Sequence, residues 1–222
     1  MTRFSAVAYH TSIICLGVLY GLGLSQQQLC QPFKLGIEMK FLLDFIISIT
    51  SLTIVGSYAW SLRGHFNSPK MEAGAKLITV GVIATTAFFL YLVWSETQML
   101  WVQVVGLGFE IGSAGLFWWA VSASREARLR FVFTLDHPDS LVTDGPYRYL
   151  RHPFYTSYLL FWSGWALASW SIWSILPVLF FTVVYVIAAR NEERKFSLSP
   201  LASEYEAYRR KTGLLTPWFD WR

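Results

Sequence analysis

Charge is what this sequence has least of. Only 14% of its 222 residues are charged, against 54% hydrophobic. A soluble domain carries about 25% charged residues, so an ordinary water-soluble globule is excluded. Cysteine is nearly missing too. Cys15 and Cys30 stand too far apart to form a ligand spacing, so they read as free thiols; no metal site and no redox compartment follow. The net charge of +4 comes without any basic run interleaved with aromatics on a polar surface, which argues against a nucleic-acid partner. Nothing repeats at a fixed period and no second domain is visible, so residues 1–222 read as one integral membrane domain. What is abundant is aromatic: eleven Trp and eleven Tyr, many at the ends of apolar runs, as in the aromatic belts of membrane proteins.

The apolar runs set the architecture. Residues 4–24 carry no formal charge and are long enough for a hydrocarbon core of about 30 Å. They exceed the apolar stretch of about 7–15 residues in a signal peptide, and Gly23-Leu24-Ser25 is a poor cleavage site, so the segment reads as a retained first span, with His10 as a packing residue. Residues 41–62, with Asp44 near one end, 75–94 and 99–121 are the next three spans. The fourth carries Gly106, Gly108, Gly112 and Gly115, a small-residue packing face. It also carries Glu110 near its middle, and a carboxylate at that depth must be paired, protonated or facing a cavity, which makes it a candidate to line a site. Residues 154–189 are too long for one crossing. They form a helical hairpin turning near Ser169-Trp170-Ser171, with Pro177 as a kink in the returning helix. The fold class is therefore all-α: a polytopic bundle of about six transmembrane helices, with N-terminal spans over 1–121 and a functional core over 122–222.

Charge orients that bundle. With six spans, sixteen Lys and Arg fall on one side and only Lys34 and Lys40 on the other. By the positive-inside rule both termini and the polar segment 139–158 are cytoplasmic. Arg125, Arg128 and Arg130, at helical spacing where the fourth span ends, read as headgroup anchors.

Segment 139–158, DSLVTDGPYRYLRHPFYTSY, holds the chemistry. Asp144-Gly145-Pro146 is turn chemistry, since Gly accepts φ > 0 and Pro presets φ. Pro153 suits the first turn of a following helix. Arg148, Arg151 and His152 thus arrive at a helix N-terminus, where free N–H groups and the helix dipole favour an anion. The hairpin returns Glu192 and Glu193 to the same side. Acidic groups there and cationic groups on the loop complement the ammonium and carboxylate of an amino acid. Residues 204–211, EYEAYRRK, read alone as an interfacial helix with Tyr205 and Tyr208 on one face.

Together, Leu141-Val142-Thr143-Asp144-Gly145-Pro146-Tyr147, Arg151-His152-Pro153-Phe154-Tyr155, the Glu192-Glu193 pair and Glu204-Tyr205-Glu206-Ala207-Tyr208 before Pro217 resemble the isoprenylcysteine carboxyl methyltransferases. That family's relatives include the phospholipid N-methyltransferases. The resemblance implies S-adenosylmethionine as cofactor, bound at the cytoplasmic face among loop, hairpin and C-terminal helix. By position it assigns Asp139, Ser140, Leu141, Val142, Tyr147, His152, Pro153 and Tyr155 to the cofactor, with Glu192 or Glu193. Arg151 joins them on charge grounds. The implied reaction is methyl transfer to a lipophilic or prenylated acceptor drawn from the membrane lipids, first the carboxylate of an isoprenylcysteine-like substrate. A carboxylate acceptor needs no base, whereas an amine or thiol must lose a proton, for which Glu110 and Glu193 are the candidates. The sequence departs from the family pattern at Ser157, commonly Gly, at Asp139, where some relatives have His, and at Ala188-Ala189, where a substrate-facing Arg is usual. Arg190 is the nearest substitute. Phospholipids and small thiols are alternative acceptors. A sterol-reductase-like NADPH enzyme is the rival from another reaction class, and a small transporter or scaffold the rival without chemistry.

Overall fold

The computed structural model describes residues 26–65, 73–126 and 141–217. The expected first span at 4–24, His10, Arg128, Arg130, Asp139 and Ser140 lie outside them. Six α-helices occur among the described residues: α1 Gln26–His65, α2 Ala73–Ser95, α3 Leu100–Glu126, α4 Pro153–Ser169, α5 Ile175–Ser197 and α6 Ala202–Arg209. The chain divides into compact units Met1–Leu42 and Leu43–Arg222. Of the first, the described part, 26–42, is helical; all that follows concerns the second.

Four stretches, Glu38–Ser61, Ile78–Ser95, Leu100–Ser124 and Ile172–Ser197, are long and apolar enough to cross a membrane. Helix is the form such stretches must take, because in hydrocarbon every backbone group has to be satisfied within the segment. The protein is thus an all-helical integral membrane protein. The hairpin forms as expected: α4 ends at Ser169, Trp170 caps it in the left-handed conformation at φ 46°, and α5 returns. α4 has seventeen residues, about 26 Å of helix at 1.5 Å per residue, and is shorter than the other crossings. Pro177 does not kink the returning helix. It sits in the first turn of α5, where its missing N–H would have had no intrahelical acceptor.

α4 packs chiefly on α3, and one glycine pair permits it. A Cβ at Gly106 would stand 2.6 Å from the Gly164 carbonyl oxygen, and one at Gly164 would stand 2.8 Å from that of Gly106. The expected four-glycine face is narrower than its spacing implied, since nothing lies within 4 Å of such an atom at Gly108 or Gly115. α1 and α3 run parallel and meet at matching heptad intervals: Gln103 donates to Asp44, Ser51 to Glu110, and Tyr58 packs on Phe117. Hydrogen bonds of this kind serve as glue where both helices are equally apolar to lipid. The core between α2, α4 and α5 is aromatic. Phe89, Phe161, Trp162, Trp165 and Phe181 are fully or almost fully buried, with Trp162 stacked on Phe181 at 4.8 Å. This rigid hairpin carries the loop before α4 and the end of α5 to the same place.

Candidate active site

The loop is built as its turn residues dictate. Asp144 is extended and Gly145 to Arg148 form one 3-10 turn, with Gly145 at φ +59°. A side chain at Gly145 would be doubly opposed, by φ and by Ala123 Cβ at 2.8 Å, so the loop lies against the end of α3. Val142, Tyr147 and Leu150 are buried and anchor it; Leu141 is half-buried. Burial pushes the Tyr147 phenol well above its ordinary range. Pro153 opens α4 and His152 is its N-cap, as its position before a proline-led helix predicts.

Around His152 five side chains converge. Its ring, 10% exposed, holds Nδ1 3.3 Å from Glu192 Oε2 and Nε2 3.7 Å from Glu193 Oε1. Arg151 Nε donates to Glu193 Oε1 at 2.6 Å, and the Tyr155 hydroxyl donates to Glu192 Oε1. The Tyr155 ring stacks on His152 at 5.6 Å and on Tyr185 at 5.5 Å. Adjacent helical residues point about 100° apart, which argues against two neighbouring glutamates serving one group. Here they do, because the imidazole presents a nitrogen to each. Burial alone would lower the imidazole pKa, but the two carboxylates outweigh it and hold it above the ordinary value. Nε2 is buried without a hydrogen-bond partner, a polar atom that a ligand can satisfy.

The structure separates other residues from this cluster. Arg148 turns back to Asp144 at 3.3 Å, with 67% of its side chain exposed, so the loop supplies one guanidinium here rather than two. Arg190 is exposed on α5. Glu110 is fully buried, accepts from Ser51 Oγ at 2.9 Å, and leaves Oε1 unpartnered. Its backbone faces Gly164, twelve residues on from His152 and so about 18 Å from it along the helix. It is not among the groups brought together there.

Residues 204–211, read alone as an interfacial helix, form most of α6 and the turn after it, and α6 docks on the loop; the resemblance already places the C-terminal helix beside loop and hairpin. Arg151 Nη1 donates to the carbonyls of Arg209 and Thr212. Leu150 and Gly213 form a parallel bridge, with Arg151 N donating to Gly213 O at 2.8 Å and His152 N to Leu214 O at 3.3 Å. The Tyr208 hydroxyl donates to Tyr147 O at 2.8 Å and lies 3.3 Å from Leu150 O. All of these acceptors are backbone carbonyls, so no side-chain pattern announces the individual contacts; the signals are the Tyr205–Tyr208 spacing and the resemblance.

Residues 101–199 match the family model for phospholipid methyltransferase. The matched stretch runs from the start of α3 through the loop and hairpin to the end of α5, and so contains the whole His152 cluster. It bears out the resemblance read from the sequence: over these residues the chain is similar to an integral-membrane methyltransferase, an enzyme class acting on lipid-like substrates. No curated protein matches the chain.

Proposed function

We propose that this protein transfers a methyl group from S-adenosylmethionine to a lipid-like acceptor at the junction of the loop, α4 and α5, on the cytoplasmic face. One observation carries the reading. Arg151, His152 and Tyr155 converge with Glu192 and Glu193, about forty residues away in the chain, around a buried imidazole whose Nε2 makes no hydrogen bond, Glu193 Oε1 standing 3.7 Å from it. The residues fit the cofactor's charges: the His152 imidazole for its carboxylate and Glu192 for its ammonium. Leu141, Val142, Tyr147 and Pro153 wall the same loop, and Asp139 and Ser140 precede it in sequence. When bound, the cofactor supplies an electrophilic methyl group on sulfur.

What the chain's own residues contribute is positioning and exclusion of water. Both matter most where the attacking atom must be held about 3–3.5 Å from its target. An isoprenylcysteine-like carboxylate needs only a cation, for which exposed Arg190 is the nearest unassigned candidate. A phospholipid amine is the second reading, favoured by the family match. It must shed a proton, and Glu192, the more open of the pair, stands in the cluster to receive it. Burial raises the Glu193 carboxyl, but His152 and Arg151 outweigh it and hold that group well below the usual range, and Glu110 stands elsewhere. Purified protein in nanodiscs should bind radiolabelled S-adenosylmethionine and not NADPH. His152→Ala should weaken that binding by about 1.5–3 kcal/mol, the range for a hydrogen bond to a charged group. NADPH binding in its place would turn the reading to the reductase class.

A further inference from the structure

We propose that Tyr208 is a positioning residue, and that it couples docking of the C-terminal segment to formation of the cofactor site. The inference rests on the function proposed above, because it concerns the same loop. The loop spans two elements with no regular ladder of its own: a single 3-10 turn at Gly145–Arg148 and the first turn of α4. Between them, Tyr149 to His152 find their long-range backbone partners in the tail. Gly213 N donates to Tyr149 O at 3.2 Å, and Gly213 and Leu214 accept from Arg151 and His152.

Tyr208 stands where these contacts begin. Its one hydroxyl proton is shared between the carbonyls of Tyr147 and Leu150, one inside the 3-10 turn and one two residues past its end. It therefore ties the turn to the residues that lead into Arg151 and His152, and seats both on α6. Its own carbonyl accepts from Thr212 Oγ1 at 2.9 Å, which starts the tail toward Gly213. At the far end Thr156 Oγ1 donates to Leu215 O at 2.8 Å, tying the tail to α4. Between these two ties lie Arg151 and His152, whose side chains face the glutamates. Burial pushes the Tyr208 phenol up to about 12, so it remains a donor through the physiological range.

A tail that only capped the bundle would leave the loop intact when one hydroxyl is removed. The test uses the full chain in nanodiscs, comparing wild type, Tyr208→Phe and Thr156→Val, the two variants cutting opposite ends of the same strap. Two quantities are read: hydrogen exchange of loop amides 147–152, and affinity for radiolabelled S-adenosylmethionine alongside the KM of the lipid acceptor. Each variant should speed loop exchange while spans α3 and α5 exchange as in wild type, and should raise the cofactor Kd about fivefold, as for loss of a neutral hydrogen bond. The acceptor KM should stay unchanged. Unaltered loop exchange in both variants would overturn the proposal. So would a loosened loop with unchanged cofactor affinity, or equal losses toward cofactor and acceptor. Failure of the wild type to bind S-adenosylmethionine would count against the function alone, with the exchange result still deciding whether Tyr208 holds the loop.

Discussion

Replacing Glu193 and Glu192 one at a time by Gln separates what holds this site together from what it holds. Arg151 and Glu193 meet at 2.6 Å with side chains only 11% and 13% exposed. Removing one charge from a buried pair costs about 3–5 kcal/mol when nothing compensates. In Glu193→Gln the guanidinium keeps the carbonyls of Arg209 and Thr212, and Gln keeps an acceptor oxygen. The loss should therefore fall in the range of a charge-assisted hydrogen bond, about 1.5–3 kcal/mol. For a chain of this length that corresponds to a melting point lower by about 3–12 °C. Glu192 is more open, at 26% exposure, and Gln can still accept from Tyr155. Glu192→Gln should change stability by less than about 1 kcal/mol yet lower kcat/KM at least about tenfold, roughly 1.4 kcal/mol. Thermal unfolding in detergent and steady-state kinetics with methyl-labelled cofactor read the two effects. Equal behaviour of the two variants, or an unchanged melting point for Glu193→Gln, would refute the division of labour.

Two further outcomes follow from the same geometry. Because both carboxylates raise the His152 pKa, its protonated form adds stability that is fully present below the unfolded value of about 6.5. That increment is lost as pH rises through the higher folded value, so melting points should fall from pH 6 to 9, and His152→Gln should flatten the dependence. Gly106→Ala would drive a Cβ to 2.6 Å from the Gly164 carbonyl oxygen and should cost about 1–3 kcal/mol by overpacking. Gly108→Ala, with open space around it, should be neutral or stabilising by up to about 1 kcal/mol; similar melting points for the two would contradict the α3–α4 crossing.

Much of the arrangement is legible in the residues because it rests on local rules. Gly145 takes a positive φ because the turn needs one, Pro153 starts a helix because its missing N–H is free there, and a 36-residue apolar stretch at 154–189 can only double back. Helix rise then brings Glu192 and Glu193 to the level of His152. What local rules leave open is which partner a charge chooses. Arg148 and Arg151 lie three apart, yet one closes on Asp144 in its own turn and the other reaches Glu193 on α5. The depth of Glu110 follows from its place in the span, but the Gly106–Gly164 crossing decides that its level is that of mid-α4. The strap of Tyr208 and residues 212–215 is silent in sequence because its contacts are made mostly to carbonyl oxygens, which every residue has.

The central claim, methyl transfer to a lipid-like acceptor from a cofactor held at the His152 cluster, is tested most directly by following the methyl group itself. Membranes containing the protein would be incubated with deuteriomethyl-labelled S-adenosylmethionine and their lipids and prenyl-thiol compounds read by mass spectrometry, beside a Glu192→Gln control. The account predicts a lipophilic product heavier by one labelled methyl group that forms with the wild type and falls at least about tenfold with the variant. Label that appears in no lipophilic compound, or that appears equally with both proteins, would contradict it.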